Sequence, residues 1–330
     1  MYVSDKELCP SDTDAGAGSA IEIHVKGKWF TVPAVPIDGR SIILKGKWVK
    51  VAVVHDEEWL ESGVEDPERY LTAIRNAASD GFRGDIFTFS QKLPATDPKY
   101  SYSVEWDSVA TARTTSFKEW WEGLPQETRK NVRRSQKRGV NIIVKNLDDD
   151  LIRGIIGVNN DSSLRQGRPN VHFGKSFDQV RKDQSSFLDR SDYVCAVCDG
   201  ELIGFLKVVY CGQVGSILNL VTKASESDKR PANALVAKAV ELCEARGMSY
   251  LTYGLFNYGN KQHSPLREFK IRNGFGETLV PRYYVPLTTW GRFCIKLKLH
   301  RGLLGVLPHR AITLGNTVRA RIAAYRHKPV

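Results

Sequence analysis

The sequence predicts an α/β protein on a mixed β-sheet, in two consecutive units. Three observations predict it. Runs rich in β-branched and aromatic residues alternate with amphipathic helical stretches along the chain. Gly, Pro and Asn-Asp-Ser clusters separate them as turns. The 330 residues are 42% hydrophobic and 26% charged, an ordinary globular composition long enough for two domains.

Each element follows in order. Residues 1–20, "MYVSDKELCPSDTDAGAGSA", are polar and acidic with no apolar signal-peptide core, and are expected to form a disordered leader. Residues 21–115 make the first unit. "IEIHVKGKWFTVPAV" and "SIILKGKWVKVAVV" read as hairpin-like strands sharing a "KGKW" repeat. A helix is expected from Pro67 to Ser79, then strands at "DIFTFS" and "YSYSVEWDSVATA", giving β-β-β-α-β-β.

Residues 116–287 make the second unit. A helix over 117–138 carries Arg129, Lys130, Arg133, Arg134, Lys137 and Arg138 on one half, because pairs four residues apart share a face. The opposite stripe holds Trp121, Leu124, Thr128, Val132, Ser135 and Gly139. A strand over 140–146 follows, then a helix in "DDDLIRGIIGVNNDSSLRQG" with acids at its N-terminus. "SFDQVRKDQSSFL" reads as another helix. "DYVCAVCDGELIGFLKVVYCGQVGSILNLVTK" reads as three antiparallel strands with an Asp199-Gly200 turn. "KRPANALVAKAVELCEARG" is a helix with Pro231 near its start and Gly247 past its end. "SYLTYGLF" is a strand, "SPLREFKIRNGF" a short helix and "ETLVPRYYVPL" a closing strand. In sum, 117–287 read β-α-α-β-β-β-α-β-α-β behind a leading helix.

Several function classes find no support. There is no GxGxxG, GxxxxGK[ST], HExxH or GxSxG. No apolar run reaches the roughly 18 residues that span a membrane. The six cysteines form no framework, and in a strand Cys195 and Cys198 point to opposite faces, so reduced core thiols are expected rather than a metal. A cytoplasmic protein, with access to the inner membrane surface, is the expectation. The formal charge is +11. Residues 288–330 hold nine cations (Arg292, Lys296, Lys298, Arg301, Arg310, Arg319, Arg321, Arg326 and Lys328) and no acid. The same segment is rich in Leu, Ile, Val and aromatics. It reads as a basic amphipathic tail for an anionic membrane surface, with a grip on tRNA and a packed helix pair as the other readings.

Three stretches together resemble a known family. "ETRKNVRRSQKRGV" is similar to a conserved leading helix, "ELIGFLKVVY" to the second and third strands, and "SPLREFKIRNGF" to an "FK..FG" segment of the GNAT superfamily of N-acyltransferases, closest to its FemAB-like branch. The resemblance covers 117–287 well; residues 21–115 match as a truncated GNAT-like unit. It implies a GNAT fold and transfer of an acyl group from acyl-CoA (acetyl-CoA), or of an aminoacyl group from aminoacyl-tRNA, to the amine of an amino sugar or amino acid. It also implies cell-envelope polysaccharide or peptidoglycan synthesis as the setting.

The resemblance places roles on particular residues. Donor phosphates would meet the helix start at Lys229, Arg230, Ala232, Asn233 and Ala234, since helix-end amides favour anions. This stretch departs from the superfamily's [QR]xxGx[GA]: Lys229 and Ala232 replace its polar and glycine positions, and Pro231 removes an amide. That weakens the case for CoA and leaves aminoacyl-tRNA open. Lys270 would neutralise an oxyanion or donor phosphate, and Tyr253 or Tyr258 would protonate a leaving group. From the residues themselves, the polar loop 159–177 offers Arg165, Gln166 and Lys175 to grip an acceptor, with Arg133 and Arg134 facing an anion, and His172 as a base. The rival reading is a catalytically silent GNAT-like module that binds RNA or an anionic membrane surface.

Overall fold

The computed structural model describes residues 19–25, 27–165, 168–257 and 264–301. The first strands are β1 (Ser19–Val25), β2 (Lys28–Ile37), β3 (Arg40–Lys45) and β4 (Val51–Val54). Helix α1 (Pro67–Ala77), β5 (Ile86–Ser90) and β6 (Ser103–Arg113) follow. Next come α2 (Phe117–Gly123), α3 (Gln126–Lys137), β7 (Asn141–Lys145), α4 (Asp149–Asn160), β8 (Leu164–Arg165), β9 (Arg168–Pro169) and α5 (Phe177–Gln184). The chain continues through β10 (Ser191–Cys198), β11 (Glu201–Cys211), β12 (Val214–Thr222), α6 (Pro231–Ala245), β13 (Tyr250–Leu255), α7 (Pro265–Arg272), β14 (Gly276–Pro286) and α8 (Thr289–Lys296).

Twelve strands form one mixed sheet in the order β1-β2-β3-β4-β5-β14-β6-β13-β12-β11-β10-β7; β8 and β9 pair separately. Strand β14 runs antiparallel to both β5 and β6, so the last strand among the described residues sits between two early ones. Its side chains join the first core: Tyr283 and Val285 pack with Tyr70, Leu71 and Phe87 from α1 and β5. A second core lies beneath α6, whose Leu235, Val236, Ala239 and Val240 are fully buried. Burying each larger aliphatic side chain contributes about 1.5–3 kcal/mol, which holds this helix to the sheet. A third core lies on the opposite face, where α4 covers Tyr193, Cys195 and Phe205.

Local chemistry accounts for most boundaries. Ser116, Asp148, Ser176, Ser264 and Thr288 cap their helices, each side chain accepting an amide from the first turn. Asp199 and Gly200 both take positive φ, at 52° and 80°, the turn expected of Asp-Gly. The expected helix over 117–138 is two helices. Pro125 disfavours helical geometry at Leu124 and the break falls there. The expected stripe of α3 does face inward, with Thr128 and Ser135 buried. Four strands rather than three precede α1, because the first stretch folds as two long strands. Cys195 and Cys198 lie in cores on opposite faces of the sheet.

Candidate active site

The sheet opens between β12 and β13. Strands β12 and β13 run parallel through three paired positions, Val214–Tyr250, Gly215–Leu251 and Ser216–Thr252, and then part. A bulge on β12 opposite Lys207 and Val208 turns that strand away, and an irregularity between Thr252 and Leu255 turns β13. The Ser216 and Thr252 hydroxyls bond at 2.7 Å where the strands separate. Splayed strands leave backbone groups without a ladder partner. Lys270 of α7 takes up two: its ammonium donates to the carbonyls of Tyr253 at 2.5 Å and Leu255 at 2.7 Å. The lysine is fully buried, and that burial lowers its pKa to about 8, with Glu58 opposing the shift.

A cavity of about 180 Å³ lies beside the splay. Ser216, Thr252, Gly254 and Leu255 form its wall toward the splay. Glu57, Glu58, Glu61, Lys92, Asp107 and Arg282 supply its charge. Arg282 bonds Asp107 at 2.6 Å and Glu57 at 2.9 Å, and those acids raise its pKa against the effect of burial. Glu57 also accepts the Ser90 amide at 2.6 Å. Lys92 donates to the Glu57 carbonyl, and burial lowers its pKa. Glu58 is exposed and opens into the cavity. Desolvation by the neighbouring protein raises its carboxyl pKa, with Lys92 and then Lys270 pulling it back.

The start of α6 borders the splay. Arg230 adopts φ 57° and Pro231 opens the helix, whose N-terminus has no side-chain cap. Lys229 pairs with Glu226 at 2.6 Å, and Arg230 is exposed. Ala232 is half-buried and Ala234 buried, and the Asn233 side chain bonds Asn273 at 2.9 Å, tying α6 to the end of α7. Tyr253 is half-buried, its ring 4.6 Å from the Lys270 ammonium.

Other expected site residues lie elsewhere. Arg165 is half-buried and donates to the Thr222 carbonyl at 3.1 Å, at the far end of β12, where burial lowers its pKa. Lys175 pairs with Asp183 and the Gly27 carbonyl, against the β1–β2 hairpin. His172 lies near them, its pKa lowered by burial and then by Lys175. None of these lines the cavity. Arg133 and Arg134 are exposed on α3, Arg133 5.7 Å from the Trp121 ring. Tyr258 and Gln166 fall outside the described residues, as do nearly all of the leader and most of the basic tail. Among the described residues, no helix is long and apolar enough to cross a membrane.

No protein-family model and no curated protein sequence matches this chain. Solved structures do. FemX is similar with a TM-score of 0.53 at 10% identity, covering 80% of this chain and 88% of its own. The C-terminal domain of a putative lysylphosphatidylglycerol synthetase from Agrobacterium fabrum gives 0.50 at 14% identity, covering 79% and 85%. The fold is the FemAB-like GNAT fold. L-PGS from Bacillus licheniformis is similar in the same way, with 0.50 at 13% identity over 78% and 84%.

Lys270 and the start of α6, both named from the sequence, lie beside the splay; the cavity was not legible there. Glu57, Glu58, Lys92, Asp107 and Arg282 come from separate segments of the chain and share no spacing. The acid run "HDEEW" at 55–59 was the available signal.

Proposed function

We propose that the protein is an N-acyltransferase that moves an acyl or aminoacyl group onto an amine. One observation carries this reading: a splayed pair of parallel strands, with a buried lysine bonded to two carbonyls of β13, opens beside a charged cavity. The donor, acyl-CoA or aminoacyl-tRNA, enters along the splay with its phosphates at the N-terminus of α6, on the Ala232 amide and on Lys229 and Arg230; the Asn233 amide already donates to the Arg230 carbonyl at 3.2 Å. The acceptor amine enters from the cavity side. Lys270 places positive charge near the point where the carbonyl oxygen becomes anionic. Tyr253, beside it, is placed to pass a proton to the leaving group. The setting is cell-envelope glycan or peptidoglycan synthesis with an amino sugar or amino acid acceptor, and the basic segment 288–330 holds the enzyme at an anionic membrane surface.

Calorimetric titration of acetyl-CoA at low salt tests the donor. Micromolar affinity, weakened at least tenfold in Lys229→Ala/Arg230→Ala, supports acyl-CoA. Absence of binding shifts the donor to aminoacyl-tRNA. If neither donor binds, the transferase reading fails and a silent binding module replaces it.

A further inference from the structure

The cavity beside the splay has its own chemistry. Four carboxylates line it, Glu57, Glu58, Glu61 and Asp107, against two cations, Lys92 and Arg282. The chain as a whole carries +11, so an acid-rich cavity runs against the molecule's charge. The acids differ in what they already hold. Glu57 and Asp107 are both taken by Arg282. Glu61 is largely exposed at the rim, 4.0 Å from Arg190. Glu58 alone has neither a hydrogen bond nor an ion pair among the described residues, and it opens into the cavity. An unpaired carboxylate on a cavity wall favours a cationic hydrogen-bond donor as its ligand.

Size narrows the ligand. The cavity's roughly 180 Å³ is below the ~300–1,000 Å³ of sites that swallow a drug-sized molecule. Apolar Val109, Val214 and Leu255 share the lining. The space fits an alkylammonium head on a short apolar stem, not a whole sugar nucleotide.

We propose that this cavity takes the acceptor as an alkylammonium ion, and that Glu58 holds it and accepts its proton. The inference rests on the transferase reading above. The ammonium gives one proton to Glu58, and the freed lone pair forms the new C–N bond at the donor carbonyl carbon. Collapse of the adduct breaks the bond to the donor's thiolate or ribose oxygen, which leaves with that electron pair. The second nitrogen proton passes to the leaving group, and Glu58 returns its own proton to water. One amide, one protonated leaving group and one proton result.

The remaining charged groups around Glu58 fix the pH response. Glu57, Glu61 and Asp107 add negative potential; Lys92, Arg282 and Lys270 oppose it. Cys211 stays a neutral thiol, its pKa raised by burial. Binding therefore weakens as acid protonates Glu58.

The test titrates cadaverine into the full chain, with 1-pentanol and glutarate as neutral and anionic counterparts. Expected is saturable cadaverine binding that weakens at least tenfold in Glu58→Gln, changes less than twofold in Glu61→Gln, and fades on acidification. Matching thermal midpoints exclude misfolding of the variants. Equal affinity for pentanol, or unchanged binding in Glu58→Gln, overturns the inference. So does acetyl-CoA binding without any cadaverine binding, and in that case the transferase reading survives. Cadaverine binding through Glu58 with no donor bound makes the cavity a cation site and overturns both the proton-transfer role and the transferase reading.

Discussion

Lys207 is a lysine with no room for its charge. It is fully buried on β11, its ammonium donating to the carbonyls of Gln184 at 2.7 Å and Ser186, with the Tyr193 ring at 5.0 Å. Burial alone drives its pKa down to about 7. The folded chain therefore releases this proton well before the unfolded chain does, near 10.5. Between those values the unfolded state binds more protons, so stability rises with pH. Lys270, at about 8, acts in the same direction. At about 1.4 kcal/mol per pH unit, the Lys207 cost below pH 7 is on the order of 5 kcal/mol. Lys207→Met should raise the urea midpoint at pH 6.5 and flatten its climb toward pH 9. A variant with the same slope as the parent would exclude Lys207 as its source. These two lysines also mark what sequence can convey. Lys270 was visible because a family segment surrounds it. Lys207 sits in an unremarkable strand, and its burial follows only from α5 closing over β11.

At the scale of elements, the α7–β14 turn carries the clearest constraint. Gly274 takes φ 79°, and an added Cβ would lie 2.6 Å from the Trp120 indole nitrogen and 3.0 Å from Leu124. That indole nitrogen donates to the Asn273 carbonyl at 3.3 Å, so neither partner can retreat cheaply. The left-handed backbone costs a non-glycine residue about 1–2 kcal/mol, and overpacking adds about 1–3 kcal/mol. Gly274→Ala should lower stability by roughly 2–5 kcal/mol in chemical denaturation; a loss of only about 1–2 kcal/mol would show that α2 yields and that the backbone cost alone remains. This contact joins the expected "FK..FG" segment to the leading helix, elements whose existence was legible from periodicity and caps. Their meeting was not, because Pro125 ended the leading helix early and redirected it. The expected single helix overlooked the restriction that proline places on Leu124. The polar loop after α4 misled for a related reason: its cations looked available, yet Arg165 and Lys175 hold the loop itself against β12 and the β1–β2 hairpin.

Across the whole molecule, β14 makes the two halves interdependent. It pairs with β6 over nine positions from Gly276 to Tyr284 and with β5 from Arg282 to Pro286. No local pattern announces that a closing strand will be inserted between two early ones, since register between distant strands is set by the assembled core. The insertion also builds the cavity, because it carries Arg282 to Glu57 and Asp107. Each of these side chains is no more than about a quarter exposed. Removing the guanidinium leaves two carboxylates facing each other in a partly desolvated place, with the Ser90 amide as the remaining donor to Glu57. Breaking a buried pair costs about 3–5 kcal/mol, and partial exposure reduces that here to roughly 1–3. Arg282→Ala should therefore lose stability at pH 7. The deficit should shrink when Glu57→Gln and Asp107→Asn are added, which removes the stranded charges. Urea melts of both variants check this. A deficit that persists in the triple variant would mean that Arg282 acts through packing of its stem, and that the halves are joined by β14 hydrogen bonds rather than by charge.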